Sequence, residues 1–404
     1  MECIYSYFEN LGKLNFISAK NKIKLIVVED NNSSLSDLLN QIVCLERNYC
    51  NLIFITYKQS GLLGRKKQTE SFIDSRVLLN EIKNSKKFLS SNCDLIFSNL
   101  MFLLDHRCNM IEFYKSISGL KSKPGFMVSD SLPKLKTIKN SLEKLQDEKR
   151  ICDPLLLSIT IEVRVLSKLL EAHDKTTNLY FLDPLNEMQA ANTDLNQFEL
   201  IHRQSELAMH PLPLLNWLRD LSRFVLDKYT LYFQPILSKY SILTIGYSMS
   251  PDSFPMVDKI RQFAFKQAPC VATLLFDTTK QIDTYTSHGY VLPHTHVEPL
   301  IGLQNYQSIF STSVTPMNQD ELFVTVSLIR EKIDNQQKKV AHLIQNSHNH
   351  RSTSYFVCKI ELRVYLSLIF ASNKNEKDRH ILSFINDISN ELQGLRMIEF
   401  LRVE

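Results

Sequence analysis

Three imidazoles fall within nine residues, at His288, His294 and His296, in the stretch Ser287-His288-Gly289-Tyr290-Val291-Leu292-Pro293-His294-Thr295-His296. Histidines two positions apart can bind one zinc ion from opposite edges of a bent loop, and Asp277 or Asp283 could supply an oxygen ligand. A metal held there would activate a water, making the chain a metal-dependent hydrolase. The spacing, however, matches no established ligand set. In the competing reading Gly289 and Pro293 shape a structured loop, and its histidines and Tyr290 hydrogen-bond internally or form part of a contact surface. His288, Gly289, Tyr290, Pro293, His294 and His296 are then candidate partner-binding residues, with no metal and no catalytic group among them.

Other patterns offer less chemistry. Gly61-Leu62-Leu63-Gly64-Arg65-Lys66-Lys67 has neither the spacing of a phosphate-binding loop nor a strand before it, and reads as a helix end followed by a solvated basic turn. His348-Asn349-His350-Arg351 falls in a polar turn. No H-E-x-x-H, G-x-S-x-G or kinase signature occurs, which removes the usual support for a metallopeptidase, an α/β-hydrolase or a kinase. Lys134, Lys136, Lys139, Lys144, Lys149 and Arg150 are interspersed with Glu143, Asp147 and Glu148, as on a solvated helix face. Nucleic-acid modules interleave basic residues with aromatic platforms in recognisable motifs, and none is visible, so no nucleic-acid partner is expected. Trp217, the single tryptophan, sits on an apolar stripe beside Leu218 and Leu221, the place of a core residue.

The chain of 404 residues carries 47 basic and 43 acidic side chains, a formal charge of +4, so charge alone does not drive it to polyanions. Apolar residues make up 44% and charged residues 22%, a globular composition, and the length suggests about two or three domains of roughly 150 residues. The 8 cysteines include no C-x-x-C pair, and MECIYSYFEN lacks a basic segment followed by an apolar one, so a reduced, cytosolic chain is expected. No window approaches the roughly 18 to 20 consecutive apolar residues of a spanning helix, so any membrane address is expected to come through partners and not by direct insertion.

The elements that must position these residues follow from periodicity. Proline is absent before Pro124 and glycine is sparse, which permits long helices. Leu35, Leu38, Leu39, Ile42, Tyr49, Leu52 and Ile53 follow a helical rhythm, predicting a helix from Ser34 that stops near Gly61 and Gly64. Further helices are predicted at about residues 69–88, 93–117, 133–150, 154–173, 182–207 and 214–233, the last ending before Pro235. Residues 23–28 are β-branched, but a lone strand has nothing to pair with there, so helix is expected. Beyond about Pro251 strands are predicted at 271–276, 322–329, 355–360 and 364–370, and amphipathic helices at 252–267, 331–346 and 376–392. The whole predicts an α+β protein: an all-α helical-bundle domain over residues 1–245, then a smaller α+β domain over 246–404. Its mixed or antiparallel sheet is expected to be covered by helices on one face.

Several stretches, in order along the chain, resemble the KICSTOR subunit 2 family. They are Asn99-Leu100-Met101-Phe102-Leu103-Leu104-Asp105-His106-Arg107 with Met110-Ile111-Glu112-Phe113-Tyr114, and Leu214-Leu215-Asn216-Trp217-Leu218 through Tyr232-Phe233. Leu274-Leu275-Phe276-Asp277 followed by His288-Gly289-Tyr290 and Pro293-His294 continues the series. The clearest stretch is Leu368-Ile369-Phe370 followed by Ser372, Lys374, Glu376, Asp378, His380, Ile381, Ser383, Phe384 and Ile385. The resemblance runs from about Tyr7 to Leu392, with departures at about 115–150 and 297–318. It implies a non-enzymatic subunit, without cofactor, of a lysosome-associated scaffold. Such a scaffold recruits the GTPase-activating complex acting on Rag GTPases and restrains TOR signalling when amino acids or glucose are scarce. The implied partners are kaptin-like, FG-GAP-repeat and seizure-threshold scaffold subunits, and the implied location is cytoplasmic, peripheral on the lysosomal membrane through those partners.

Overall fold

The computed structural model describes residues 2–30, 33–52, 73–78, 80–81, 91–118, 131–143, 152–244, 255–279, 285–286, 289–290, 301–346, 352–395 and 397. Contacts group the chain into two compact units, Met1–Glu171 with Glu187–Arg223 and Met397–Glu404 in one, and Ala172–Asn186 with Phe224–Arg396 in the other.

The first unit is helical. Its elements are α1 (Glu2–Gly12), α2 (Phe16–Asp30), α3 (Ser33–Cys50), a short helical stretch at 73–78, α4 (Ser91–Ser118), α5 (Leu132–Glu143), and parts of α6 (Asp153–Thr177), α7 (Leu182–Arg203) and α8 (Pro213–Thr244). In α1 the buried side chains Ile4, Tyr7, Phe8 and Leu11 recur at i, i+3, i+4 and i+7, a single apolar stripe. Residues 23–28 are helical despite their β-branched composition, because Ile23 and Ile26 bury on one side of α2. Two expected helix ends are displaced. α3 stops at Cys50, well before Gly61, and is closed by Leu52 at φ 53°, whose N–H bonds the Tyr49 carbonyl at 2.9 Å. The same left-handed leucine closes α1 at Leu14 and α6 at Leu179, each buried, so core contact offsets a conformation that usually selects glycine. α8 runs on through Pro235 to Thr244. Proline there removes one backbone bond from a 32-residue helix, and the turns on either side keep theirs.

The second unit is built around a five-stranded sheet: β1 (Cys270–Asp277), β4 (Tyr306–Ser311), β5 (Val340–Asn346), β6 (Ser352–Lys359) and β7 (Val364–Phe370), in the order β4-β1-β7-β6-β5. All pairings are antiparallel, with a bulge in β1 between Leu274 and Leu275 where it meets β4. A two-residue hairpin, β2 (Tyr285–Thr286) and β3 (Gly289–Tyr290), stands apart from it.

The segment 322–329, expected as a strand, is the helix α10 (Gln319–Leu328), which runs on into a π-helical turn, Ile329–Asp334. Its start is fixed by a capping box: the Asn318 side chain accepts from the Glu321 N–H at 2.7 Å, and Glu321 accepts from the Asn318 N–H at 3.2 Å. Val326, Leu328, Ile329 and Ile333 bury against Tyr355, Val357, Tyr365 and Ile369 of the sheet. Conversely, much of 331–346, expected as a helix, forms the edge strand β5. The other edge strand, β4, lies where no strand was expected.

Helix α9 (Pro255–Lys266) packs on β1 and also touches α11 (Arg379–Leu392), against which Phe263 and Phe384 stack face to face with centroids 3.7 Å apart. Every residue of β7 is buried, and the side chains opposite in parity to the α10 cluster, among them Leu274, Phe356, Leu366 and Leu368, are buried too. Both faces of the sheet are therefore covered, where one was expected. Two-sided burial explains the unbroken apolar runs of the central strands, since no face needs to be polar.

Candidate functional site: buried ionic centres and the histidine loop

In the first unit, α3, α4 and α6 bring three ionised side chains together in the core. Arg107 donates from Nε and Nη2 to the two carboxylate oxygens of Glu46 at 2.8 and 2.7 Å, and from Nη1 to Glu162 at 3.0 Å. The other Glu162 oxygen accepts the hydroxyls of Tyr49 (2.6 Å) and Tyr114 (2.7 Å). The guanidinium also lies 3.9 Å from the Tyr49 ring centroid. Arg107 is 2% exposed. Burial opposes its charge, but Glu46, Tyr49 and Glu162 outweigh this and hold its pKa well above the ordinary value. Burial, reinforced by Glu162, pushes Tyr49 and Tyr114 well up, so both remain hydroxyl donors. The Cys50 thiol is pushed up to about 12 by the same burial and by Glu46.

Beside this centre, His106 is 3% exposed, and neither ring nitrogen has a hydrogen-bond partner among the described residues. Its ring lies 4.1 Å from that of Phe102. Desolvation, with a smaller contribution from Arg107, lowers its pKa to about 4, so it is neutral at physiological pH.

The second unit has its own centre. Lys228 of α8 is wholly buried and uses all three ammonium protons, toward Thr177 Oγ1 (2.7 Å), Glu361 Oε1 (2.5 Å) and His173 Nε2 (3.2 Å). The other Glu361 oxygen accepts from Tyr232 at 2.7 Å. Glu361 lies in the turn between β6 and β7, so one carboxylate pins that turn to α8. Burial lowers the Lys228 pKa, and Glu361 opposes the change. Burial and then Lys228 lower that of His173, which accepts as neutral imidazole.

Buried lysines, histidines and paired carboxylates are also the raw material of acid and base catalysis. Here all three lysine protons and three of the five guanidinium N–H groups meet a protein acceptor, and the charged groups have almost no exposure to solvent. Their chemistry is to fix which helices meet.

The histidine loop is placed only in part. Gly289 and Tyr290 form β3 and pair with Thr286 and Tyr285. His288, Pro293, His294 and His296 lie outside the described residues, as do Asp283, His348, His350 and the basic turn at 61–67. Asp277 ends β1, and its carboxylate accepts from the Thr279 N–H at 2.9 Å. Among the described residues no group of three histidines, cysteines or acids could hold a metal ion. Trp217 is a core residue as expected, its Nε1 donating to the Met397 carbonyl at 3.0 Å and its ring meeting Tyr114 edge-on. On α5, Leu132, Leu135, Ile138 and Leu142 are buried, while Lys136 and Lys139 pair with Glu171 and Glu143. No described helix is long and apolar enough to cross a membrane.

Arg107 and His106 fall within the stretches that resemble the KICSTOR subunit 2 family, and comparison with known proteins bears on that resemblance directly. The sequence model of the family described as KICSTOR complex C12orf66 like matches residues 2–403. This chain belongs to that family. It is similar to KICSTOR subunit 2 of Xenopus laevis, 23% identical over 433 residues that cover 99% of this chain and 96% of the relative. It is also similar to KICSTOR subunit 2 of Danio rerio, 24% identical over 429 residues, 96% of this chain and 92% of the relative. The family is that of a component of a scaffold complex. The matched residues run nearly the length of both chains and so span both units.

Proposed function

We propose that this chain is a non-enzymatic subunit of a KICSTOR-like scaffold. In this reading the complex is lysosome-associated and recruits the GTPase-activating complex that acts on Rag GTPases. It restrains TOR signalling when amino acids or glucose fall. Kaptin-like, FG-GAP-repeat and seizure-threshold scaffold subunits are its partners. It reaches the lysosomal membrane peripherally through them, and the loop around Gly289 and Tyr290 is part of a contact surface.

The observation that carries the reading is the full-length family match. The internal use of ionisable groups supports it: a subunit whose task is to be held by others needs two firmly shaped bodies and exposed apolar anchors, not a cleft. Anchors of that kind are present at Met209, Phe265, Ile301 and Phe323, all exposed. Tagged chain purified from its native cell in nutrient-rich and starved conditions tests it. Recovery of the other scaffold subunits in both states, with the Rag-directed complex, is the expected result. Recovery of none of them would end the proposal.

A further inference from the structure

Along the solvent side of the first unit, α2 and α3 leave an open groove of about 580 Å3, lined by Ile17, Lys20, Asn21, Ile23, Lys24 and Asn40 among others. We propose that this groove docks an acidic, apolar helical segment of a protein partner. The inference rests on the scaffold reading above and adds the surface and the chemistry of what it binds.

The groove combines an apolar floor with a cationic rim. Ile23 is buried beneath it, while Ile17 is 68% exposed, an apolar side chain with no cover. Lys20 and Lys24 are both exposed, and no acid is among the described lining residues. Four residues apart on one helix, their anchor points are about 6 Å apart along the axis, so two acids spaced i, i+4 on a docked helix present the same interval. An apolar side chain about one turn beyond the acid that meets Lys20 would cover Ile17, and the amides of Asn21 and Asn40 would meet polar groups at the margin. The groove wall is already rigid. Glu206 accepts from the N–H of Ile17 at 2.8 Å, the N–H of Ser18 at 3.0 Å and the Ser18 hydroxyl at 2.6 Å, which fixes the start of α2. A membrane surface is a poorer fit: adhesion to anionic lipid takes a cluster of about four to eight basic residues, and this one offers two, in a concavity.

The test uses the full chain in its native cell, with photoreactive benzoylphenylalanine in place of Asn21 and the cross-linked peptide identified by mass spectrometry. The expected product is a segment of another protein in which two acids four residues apart have an aliphatic or aromatic residue about one helical turn to one side of the pair. Adding Lys20→Glu and Lys24→Glu should cut its yield about tenfold or more, because two attractions become two repulsions. The melting curve should not move, since both side chains are exposed. Cross-links to lipid, to a second copy of this chain or to a segment without acids would overturn the proposal, as would a yield indifferent to the charge reversal. No cross-link while scaffold subunits still co-purify would refute the groove alone. No co-purifying subunit at all would remove the scaffold reading with it.

Discussion

Replacing Arg107 by methionine should unfold the first unit more readily than any other conservative change in it. The substitution keeps most of the side-chain volume but removes three charge-assisted hydrogen bonds, two to Glu46 and one to Glu162. Glu46 then stays buried with no cation, whereas Glu162 keeps the hydroxyls of Tyr49 and Tyr114. Removing one partner of a buried pair costs about 3–5 kcal/mol, because the remaining charge is stranded away from water. At about 2–4 °C per kcal/mol for a unit of this size, the melting temperature should fall by roughly 6–20 °C. Adding Glu46→Leu to Arg107→Met should recover the larger part of the loss, since the stranded charge goes with it. Arg107→Lys should fall between, as an ammonium cannot make the forked contact. Scanning calorimetry of the full-length variants reads all three. A melting temperature for Arg107→Met within about 1 °C of the parent, or a double variant no better than the single, would refute the reasoning.

Three further outcomes follow from the same packing. Lys228→Met strands Glu361 beside Tyr232 and should cost about 3–5 kcal/mol by urea denaturation, whereas Lys228→Met with Glu361→Leu should cost distinctly less; equal losses would show that the charges are not coupled. Because the folded-state pKa of His106 is depressed to about 4, the unfolded chain takes up the proton first, and stability falls as pH drops from about 6.5 toward 4. The stability of His106→Leu relative to the parent should therefore be greater by about 2 kcal/mol at pH 5 than at pH 7; an unchanged difference between the two pH values contradicts the assignment. Gly12→Ala would place a methyl 2.3 Å from the Pro154 carbonyl oxygen, too close for any atom pair, and should lower stability by about 3 kcal/mol or more in the same urea assay.

How far the structure was legible in the residues depends on the kind of signal. The one-sided stripe of α3 and the unbroken apolar runs of β1, β6 and β7 are local, and these elements begin where periodicity puts them. Leu322 to Ile329 is apolar on nearly every side, so its period cannot tell a buried strand from a buried helix. The deciding feature was the Asn318 to Glu321 capping box just upstream. β5 and β4 are edge strands with polar residues mixed in, which weakens any run. Helix ends were hidden because leucines, not glycines, take the left-handed positions at 14, 52 and 179. The ionic centres join residues 55 to 133 positions apart, so no spacing rule could pair Glu46 with Arg107 or Lys228 with Glu361, although Arg107 lies within a stretch singled out by resemblance. The histidine loop drew attention for its composition, and of its candidates the structure describes only Gly289 and Tyr290, as a short hairpin strand.

The central claim is that this chain works as a fixed part within a larger assembly. Its native size tests that most directly. Extract from the cell of origin, fractionated by size without cross-linking and probed for the endogenous chain, should show it in particles several times heavier than its own 46.9 kDa, together with its scaffold partners. Elution of the whole population at the mass of a free monomer would contradict the account.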